Sequence, residues 1–573
     1  MAGMNIGKAP AIVILGPGSL ATAQRIQLCY PQAKILGLAG RVEGVDAHYE
    51  HFGDTLRQLY QQDTPIIALC AAGIVIRTLA SLLTEKGAEP PVLAVAEDGS
   101  AVVPLLGGLS GVNVMARAIA QALDVAAAIT TSGELRFGTC LLNPPEGYAL
   151  ADLEQGKRFV SDLLAGESVR VEGDAPWLDQ AQLPQHDQAR RIIRVGCEAR
   201  PASRDELLIH ARSVLVAVHG AAPDLAERVL QALAEAGIAQ AALACLLADE
   251  HYMAEPALHE AAQVLGVALR FAPAAGRLSE QVEQAVPGAR LIEQGDVVIA
   301  VAPAPIEPAQ VGRGRGRLAV IGLGPGAADL MVPAVKAELA RAQDVLGYET
   351  YVRMAGPFRA DQVLHCTDNR EEMQRARHAF ELAAEGRSVV VVSSGDPGVF
   401  AMAAAVLEAL HESSDPAWHR VDLQILPGVS ASLATAAQAG APLGHDFCVM
   451  SLSDNLKPWS IIEKRLDLAA QADLVLAFYN PISKARPHQL GLALSVVRKH
   501  REASTPVVLG RDIGRPGQSL RVVTLGELVP AMVDMRTMVL IGSSTTCTFP
   551  RANGGEWVYT PRWYPLKPNL LEA

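Results

Sequence analysis

Leu318-Ala-Val-Ile-Gly-Leu-Gly-Pro-Gly-Ala-Ala-Asp329 is the stretch whose reading decides the fold. An apolar run with the character of a buried strand ends in glycines at 322, 324 and 326. A helix-like stretch, Met331 to Gln343, follows at once. Glycine permits a sharp turn and lets a ligand approach where a Cβ would obstruct it. The spacing Gly-x-Gly-x-Gly is not the dinucleotide pattern Gly-x-Gly-x-x-Gly. On its own the loop fits a tight strand-to-helix turn without a ligand equally well.

Downstream, the same pattern recurs. Asp344 to Leu346 reads as a strand ended by Gly347-Tyr-Glu-Thr-Tyr351. The valine-rich run Ser388 to Val392 leads into Ser393-Ser-Gly-Asp-Pro-Gly-Val-Phe400 and a helix, Ala401 to Leu410. Leu423 to Leu426 leads into Pro427-Gly-Val-Ser-Ala431. In an open α/β sheet, ligands bind beyond the carboxyl ends of the strands, and small residues there leave room for an extended cofactor. Asp396 fits three roles: accepting hydrogen bonds from ribose hydroxyls, offsetting positive charge, or capping the following helix.

Upstream, Pro303 to Arg317 combines prolines with Gly-Arg-Gly-Arg-Gly-Arg and reads as a linker. The region before it alternates strands and helices: Ala11 to Leu15, Ala33 to Leu38, Pro65 to Cys70 and Val92 to Ala96, with Ala128 to Thr131 ending a further strand. This predicts α/β architecture in several domains, doubly wound units first and a two-lobed fold last. The expected boundaries are 1–150 and 201–302 for two α/β domains, 151–200 for a connecting segment, 303–317 for the linker, and 318–430 and 431–573 for the two lobes.

Length and composition set the outer bounds. At 573 residues, half of them apolar and only 4% aromatic, the chain exceeds one core and favours layers packed with small aliphatic side chains. No apolar run approaches a membrane span, and Met1 to Pro10 lacks a signal-peptide pattern, so a cytoplasmic protein without membrane association is expected. The eight cysteines include no Cys-x-x-Cys, and no metal site is expected. Of the net charge of −12, the part from Leu318 onward carries 24 Lys and Arg against 26 Asp and Glu, leaving −10 for the first 317 residues. Within the later part, Lys457 to Arg521 holds eleven basic and five acidic residues. That excess is too narrow for nucleic acid. It suits a lined cleft for a small polyanion.

Taken together, Gly322-Leu-Gly-Pro-Gly326, Gly347-Tyr-Glu-Thr-Tyr351, Ser394-Gly-Asp-Pro-Gly398, Pro427-Gly-Val-Ser-Ala431, Gly440-Ala-Pro-Leu-Gly-His-Asp-Phe447, Lys457-Pro-Trp459, Phe478-Tyr-Asn-Pro481 and Thr560-Pro-Arg562 resemble the precorrin-3B C17-methyltransferase family of class III tetrapyrrole methyltransferases. The resemblance covers Leu318 to Tyr564. It implies S-adenosyl-L-methionine held between two lobes by Gly324, Pro325, Gly326, Gly395, Asp396, Phe400, Ser430, Ala431, Tyr479 and Asn480. It further implies methylation of precorrin-3B, or its cobalt form, at C17 with ring contraction to precorrin-4, and a homodimer. Acid–base candidates for the contraction are His445, Asp446, Tyr348 and Tyr479. Candidates for gripping substrate carboxylates are Lys457, Lys484, Arg486, Arg511 and Arg562.

Gly73-Ile-Val-Ile-Arg77, Glu97-Asp-Gly99, Leu105 to Asn113, Ile129-Thr-Thr131 and Asn143-Pro-Pro-Glu-Gly-Tyr148 resemble the N-terminal domain of the cobalamin-biosynthesis family that includes cobalt-precorrin-5A hydrolase. Residues 201–302 follow that family's C-terminal domain in degenerate form. Leu109 and Ser110 stand where the family usually has histidine, which argues against hydrolysis. The sequence leaves two alternatives: a bifunctional enzyme that also opens the cobalt-precorrin-5A lactone, and a non-catalytic tetrapyrrole-binding first half.

Overall fold

Short aliphatic runs bounded by glycine, proline and aspartate become the strands of six sheets. The computed structural model describes residues 8–83, 89–273, 277–359, 361–368, 371–552 and 554–564, and it divides into two units, Met1–Arg315 and Gly316–Ala573.

The first unit holds three layers. Its first sheet runs Ala47–Tyr49, Lys34–Leu38, Ala11–Ile14, Ile66–Leu69, Val92–Val95, Val102–Leu106, with only the last strand antiparallel. Ala11–Ile14, Ile66–Leu69 and Val92–Val95 are buried throughout, because a parallel sheet is covered on both faces. The strand expected to end at Thr131 does not form; a single bridge joins Ala127 to Val102. The edge strand is Val102–Leu106, whose end the sequence reading assigns to a glycine-rich loop.

Residues 151–200, expected as a connecting segment, instead supply two strands of the second sheet. That sheet runs Tyr148–Leu150, Glu206–Ala211, Arg191–Gly196, Val169–Glu172. Phe159 and Leu163 of the helix Leu153–Leu164 pack with Phe137, Leu178, Ile193 and Leu207 in its core. The third sheet runs Ala268–Ala272, Leu243–Asp249, Val214–Val218, Val297–Val301, Arg290–Gln294. The expected linker is docked along part of its length. Arg313 and Phe271 exchange backbone hydrogen bonds of 2.8 and 2.9 Å, and Val311 is buried. Gly312 permits this, since a Cβ there would lie 2.3 Å from the Phe271 carbonyl oxygen.

The second unit is built on two main sheets. One is wholly parallel: Val363–Thr367, Asp344–Tyr348, Ser388–Ser393, Arg317–Gly322, Asp422–Leu426. Alternate valines of Ser388–Ser393 face opposite sides, as strand pleating requires. Val389 and Val391 pack with Phe380 and Val406, while Val390 and Val392 pack with Val335 and Val352. The other sheet is mixed: Phe447–Ser451, Val475–Tyr479, Thr537–Ile541, Pro506–Arg511, Ser519–Thr524. A small sheet joins Gly440–Ala441, Glu556–Tyr559 and Cys547–Pro550.

Candidate functional site

Three adjacent strands of the parallel sheet end side by side, and their turns touch. Gly324 N–H donates to Gly395 O at 3.1 Å, and Gly395 N–H donates back to Gly324 O at 2.8 Å. Both residues have left-handed backbones, φ +72° and +70°. A Cβ on Gly322 would lie 2.4 Å from the Gly395 carbonyl oxygen, and one on Gly428 only 2.2 Å from it. The three turns therefore approach to a distance that only glycine allows. Asp396 ties two of them together, its carboxylate accepting from Gly398 N–H in its own turn at 2.8 Å and from Gly428 N–H in the next at 3.0 Å. It is not the cap of the helix Met402–Glu412, which begins after Ala401.

The mixed sheet supplies the facing wall. Ser430 caps the helix Ala431–Ala439, and its Oγ lies 3.0 Å from Ser432 Oγ. Ser432 N–H donates to the Tyr479 hydroxyl at 3.1 Å, and its own hydroxyl lies 3.1 Å from the same oxygen. Asn480, with φ +50°, donates from Nδ2 to Ser451 Oγ at 3.1 Å. The half-exposed Phe400 ring sits 5.4 Å from the Tyr479 ring, with Lys457 Nζ 6.0 Å from the Phe400 centroid. Phe400 and Lys457 also border a cavity of about 480 Å³ that runs along the Phe447–Ser451 strand and the helix Trp459–Gln471, with Met450, Ser451, Ile462 and Arg465 in its lining. Burial, helped by the neighbouring Arg465 charge, pushes the Lys457 ammonium pKa down. The ten residues expected around a cofactor thus belong to one region. Even the Gly395 and Ser430 backbones are near contact, since a Cβ on Gly395 would lie 3.7 Å from Ser430 Cα.

The structure does not bring every expected residue to this region. His445 and Asp446 precede the Phe447–Ser451 strand, which runs parallel to Val475–Tyr479 with Phe447 opposite Val475 and Ser451 opposite Tyr479. At roughly 3.3 Å per residue, they lie about 20 Å from the Tyr479 end. His445 instead packs edge-on against Tyr564, whose hydroxyl donates to Asp473 at 3.0 Å. Arg562, two residues before Tyr564, is exposed in that same segment. Arg511 is already engaged, donating to Asp534 at 2.8 Å and to Asp512 at 3.0 Å. Its fork is therefore already engaged within the fold.

Tyr348 does end a strand of the parallel sheet and meets Tyr351 edge-on at 5.4 Å. Lys484 is exposed in the turn after Tyr479-Asn-Pro481, and Arg486 keeps Nη1 buried with no partner among the described residues. Sequence reasoning missed Arg465 and Arg515. The Gly514-Arg-Pro-Gly517 turn is a signal that could have found the latter.

The glycine-rich loop of the first unit is arranged differently. Asn113 Nδ2 donates to Thr131 Oγ1 and to the buried Glu134, each at 2.9 Å, and Arg117 pairs with Glu134. Burial, then the Glu134 charge, pushes the Cys140 thiol pKa up. Ser110 Oγ donates to the Glu89 carbonyl at 2.7 Å.

Glycine turns at the ends of parallel strands, with a second sheet beside them, fit the tetrapyrrole (corrin/porphyrin) methylase class. The model of that family matches residues 317–529. The chain belongs to the precorrin-3B C17-methyltransferase family within it. A precorrin-3B C(17)-methyltransferase from a Sinorhizobium species is 51% identical over 249 residues, 44% of this chain and 97% of that protein. A probable cobalt-factor III C(17)-methyltransferase from Salmonella typhimurium is 39% identical over 249 residues, 44% of this chain and 100% of that protein. The crystal structure of the methyltransferase CobJ is 53% identical, with a TM-score of 0.41 covering 43% of this chain and 100% of that one. A second family model, the cobalamin synthesis G N-terminal domain, matches residues 54–134, in keeping with a fusion of two cobalamin-pathway modules. Among the described residues no helix is long and apolar enough to cross a membrane.

Proposed function

We propose that the second unit transfers the methyl group of S-adenosyl-L-methionine to C17 of precorrin-3B or its cobalt form, with contraction of the macrocycle to the precorrin-4 level. The observation that carries this reading is the convergence of the Gly322–Gly326, Gly395–Phe400 and Gly428–Ser430 turns opposite Tyr479 and Asn480. A methyl on sulfonium leaves as a neutral thioether and needs no acid. The protein has mainly to align a carbon nucleophile with it, and such alignment is worth ~7–11 kcal/mol. In this reading Gly324, Pro325, Gly326, Gly395, Asp396, Phe400, Ser430, Ala431, Tyr479 and Asn480 line the donor pocket.

Ring contraction moves a proton at an oxygen-bearing carbon. Tyr479 and Tyr348, the two candidates at the strand ends, are the groups we assign to it. Such assistance contributes ~10²–10⁴-fold. Lys457, Arg486 and Lys484 receive substrate carboxylates: Lys457 lines the cavity, and Arg486 holds an unpartnered guanidinium nitrogen. We further propose a cytoplasmic homodimer. Incubating the full chain with S-adenosylmethionine and precorrin-3B, with and without cobalt, tests the assignment. Mass spectrometry should show one added methyl, and absence of product from both forms would overturn it.

The match at residues 54–134 is compatible with a second role for the first unit, and because Leu109 and Ser110 replace the histidine usual in the resembling family we read that role as binding a tetrapyrrole without hydrolysing it. Release of acetaldehyde from cobalt-precorrin-5A by the full chain would replace this with the bifunctional reading.

A further inference from the structure

The loop between the strands Pro506–Arg511 and Ser519–Thr524 has a fixed shape. At its base the buried Asp512, φ +51°, accepts from Arg536 Nε at 2.7 Å and Arg511 Nη1 at 3.0 Å. Gly514 N–H donates to Gln518 Oε1 at 2.9 Å, and Arg515 N–H to Asp512 O at 2.9 Å. From this base the Arg515 side chain crosses to the parallel sheet. Its Nε donates to the Pro325 carbonyl at 2.8 Å and its Nη2 to Ser394 Oγ at 3.0 Å.

Pro325 and Ser394 follow two neighbouring strands, paired Gly322 to Ser393, so one guanidinium spans two adjacent strand ends. The packing is as close as backbone permits. A Cβ on Gly326 would lie 2.6 Å from Arg515 Cγ, and one on Gly514 would lie 2.9 Å from Pro325 Cγ. Tyr351 borders the same charge: burial raises its hydroxyl pKa while Arg515 pulls the other way.

We propose that Arg515 is a positioning residue for the methyl donor, locking the Gly324–Gly326 turn to the Ser394–Gly398 turn so that both meet the donor in one arrangement. This rests on the reading that the cleft holds S-adenosylmethionine. Binding is tighter when the receiving loops are already ordered, because less conformational freedom is lost. Arginine suits the task because its planar fork reaches two acceptors at once, which a lysine ammonium does with poorer geometry.

The test is calorimetric titration of S-adenosylmethionine into the full chain as wild type, Arg515→Met, Arg515→Lys and Ser394→Ala, with steady-state kinetics alongside. Arg515→Met should weaken donor binding about tenfold, a loss in keeping with charge-assisted hydrogen bonds. Arg515→Lys should recover part of it, and Ser394→Ala should cost less. KM for the donor should rise while kcat at saturating donor stays within about twofold. Arg515→Met binding as wild type, or more tightly because the arginine obstructs the cleft, overturns the proposal, as does a lysine no better than methionine. If Arg515→Met does not fold, the other two variants decide. Wild type that ignores S-adenosylmethionine removes the cofactor reading and this inference together. Wild type that binds while the variants are indifferent removes only this inference.

Discussion

Two glycine-rich turns, one in each unit, look alike as sequence and differ in use. Around Gly322–Gly326 the missing side chains let three strand ends touch, and Asp396 joins its own turn to the Gly428 turn through two backbone N–H groups. Around Gly107–Gly111 only Gly107 is crowded, against the single segment that leads into the strand Val92–Val95. A Cβ on Gly107 would lie 2.6 Å from the Pro90 carbonyl oxygen, whereas Gly108 faces open space. The polar groups beside that loop are tied to one another, Asn113 to Glu134 and Ser110 to Glu89. A glycine cluster marks a binding cleft when turns from several strands meet there, and otherwise marks local backbone geometry.

The largest effect should come from forcing a side chain into the meeting point. Gly428→Ala places a Cβ 2.2 Å from Gly395 O, with Gly322 O at 2.7 Å. No flexible side chain can yield there, so the turns must separate. We expect methyl transfer to be lost and unfolding free energy to fall by about 1–3 kcal/mol, measured by turnover and urea denaturation. Gly108→Ala in the first unit should fall within about 0.5 kcal/mol of wild type. If the two alanines behaved alike, the contrast between the turns would be false.

Next in size is Tyr479→Phe. The hydroxyl sits with Ser432 N–H and Oγ at 3.1 Å and beside the Phe400 ring. If it moves a proton during contraction, product formation should fall about 10²-fold or more. Donor affinity by calorimetry should change far less. A uniform rise in KM without loss of kcat would make the tyrosine part of the pocket wall only.

Much of this was legible in the chain. The valine strand Ser388–Ser393 and the turn at Gly395-Asp396 sit where the aliphatic run and its glycines place them, because buried parallel strands advertise themselves. Residues 151–200 were not legible as a layer. Val169–Glu172 buries only its first residue, Arg191–Gly196 alternates buried with partly exposed residues, and the pair is completed by Glu206–Ala211 beyond the segment, so no continuous apolar run announces them. The distance of His445 and Asp446 from the glycine turns was hidden for a different reason. A conspicuous His-Asp pair in a motif says nothing about which end of a strand it occupies, and only the register with Val475–Tyr479 places it. That Arg511 is paired with Asp534 as well as Asp512 was not legible either, because Asp534 is brought to it by the fold and not by nearness in sequence.

A smaller, pH-dependent effect should appear in the first unit. Glu206 accepts from Arg200 at 2.6 Å and Arg194 at 3.2 Å, and the Arg200 hydrogen bond leads in holding its carboxyl down at about 2. A depressed carboxylate pKa stabilises the fold above the unfolded value near 4.5, and that contribution is lost as pH falls toward 2. The stability difference between wild type and Glu206→Gln should therefore be constant above pH 4.5 and shrink below it, followed by urea denaturation at each pH. A pH-independent difference would mean that Glu206 acts through packing. Methyl transfer at neutral pH should be unaffected, since Glu206 lies in the sheet of residues 148–211 and not at the strand ends of the second unit.

The smallest effect expected is also the most direct challenge to the site. His445→Ala should leave methyl transfer within about twofold, because the residue lies at the amino end of its strand, with Tyr564 as its neighbour and the donor turns at the opposite end. Its loss removes an aromatic contact worth about 0.5–1.5 kcal/mol, so a modest fall in stability with turnover retained is the signature. A hundredfold loss of turnover with stability intact would instead put chemistry at the wrong end of the sheet. The glycine turns would then be a cofactor platform serving an acid–base group that a single chain does not bring to them.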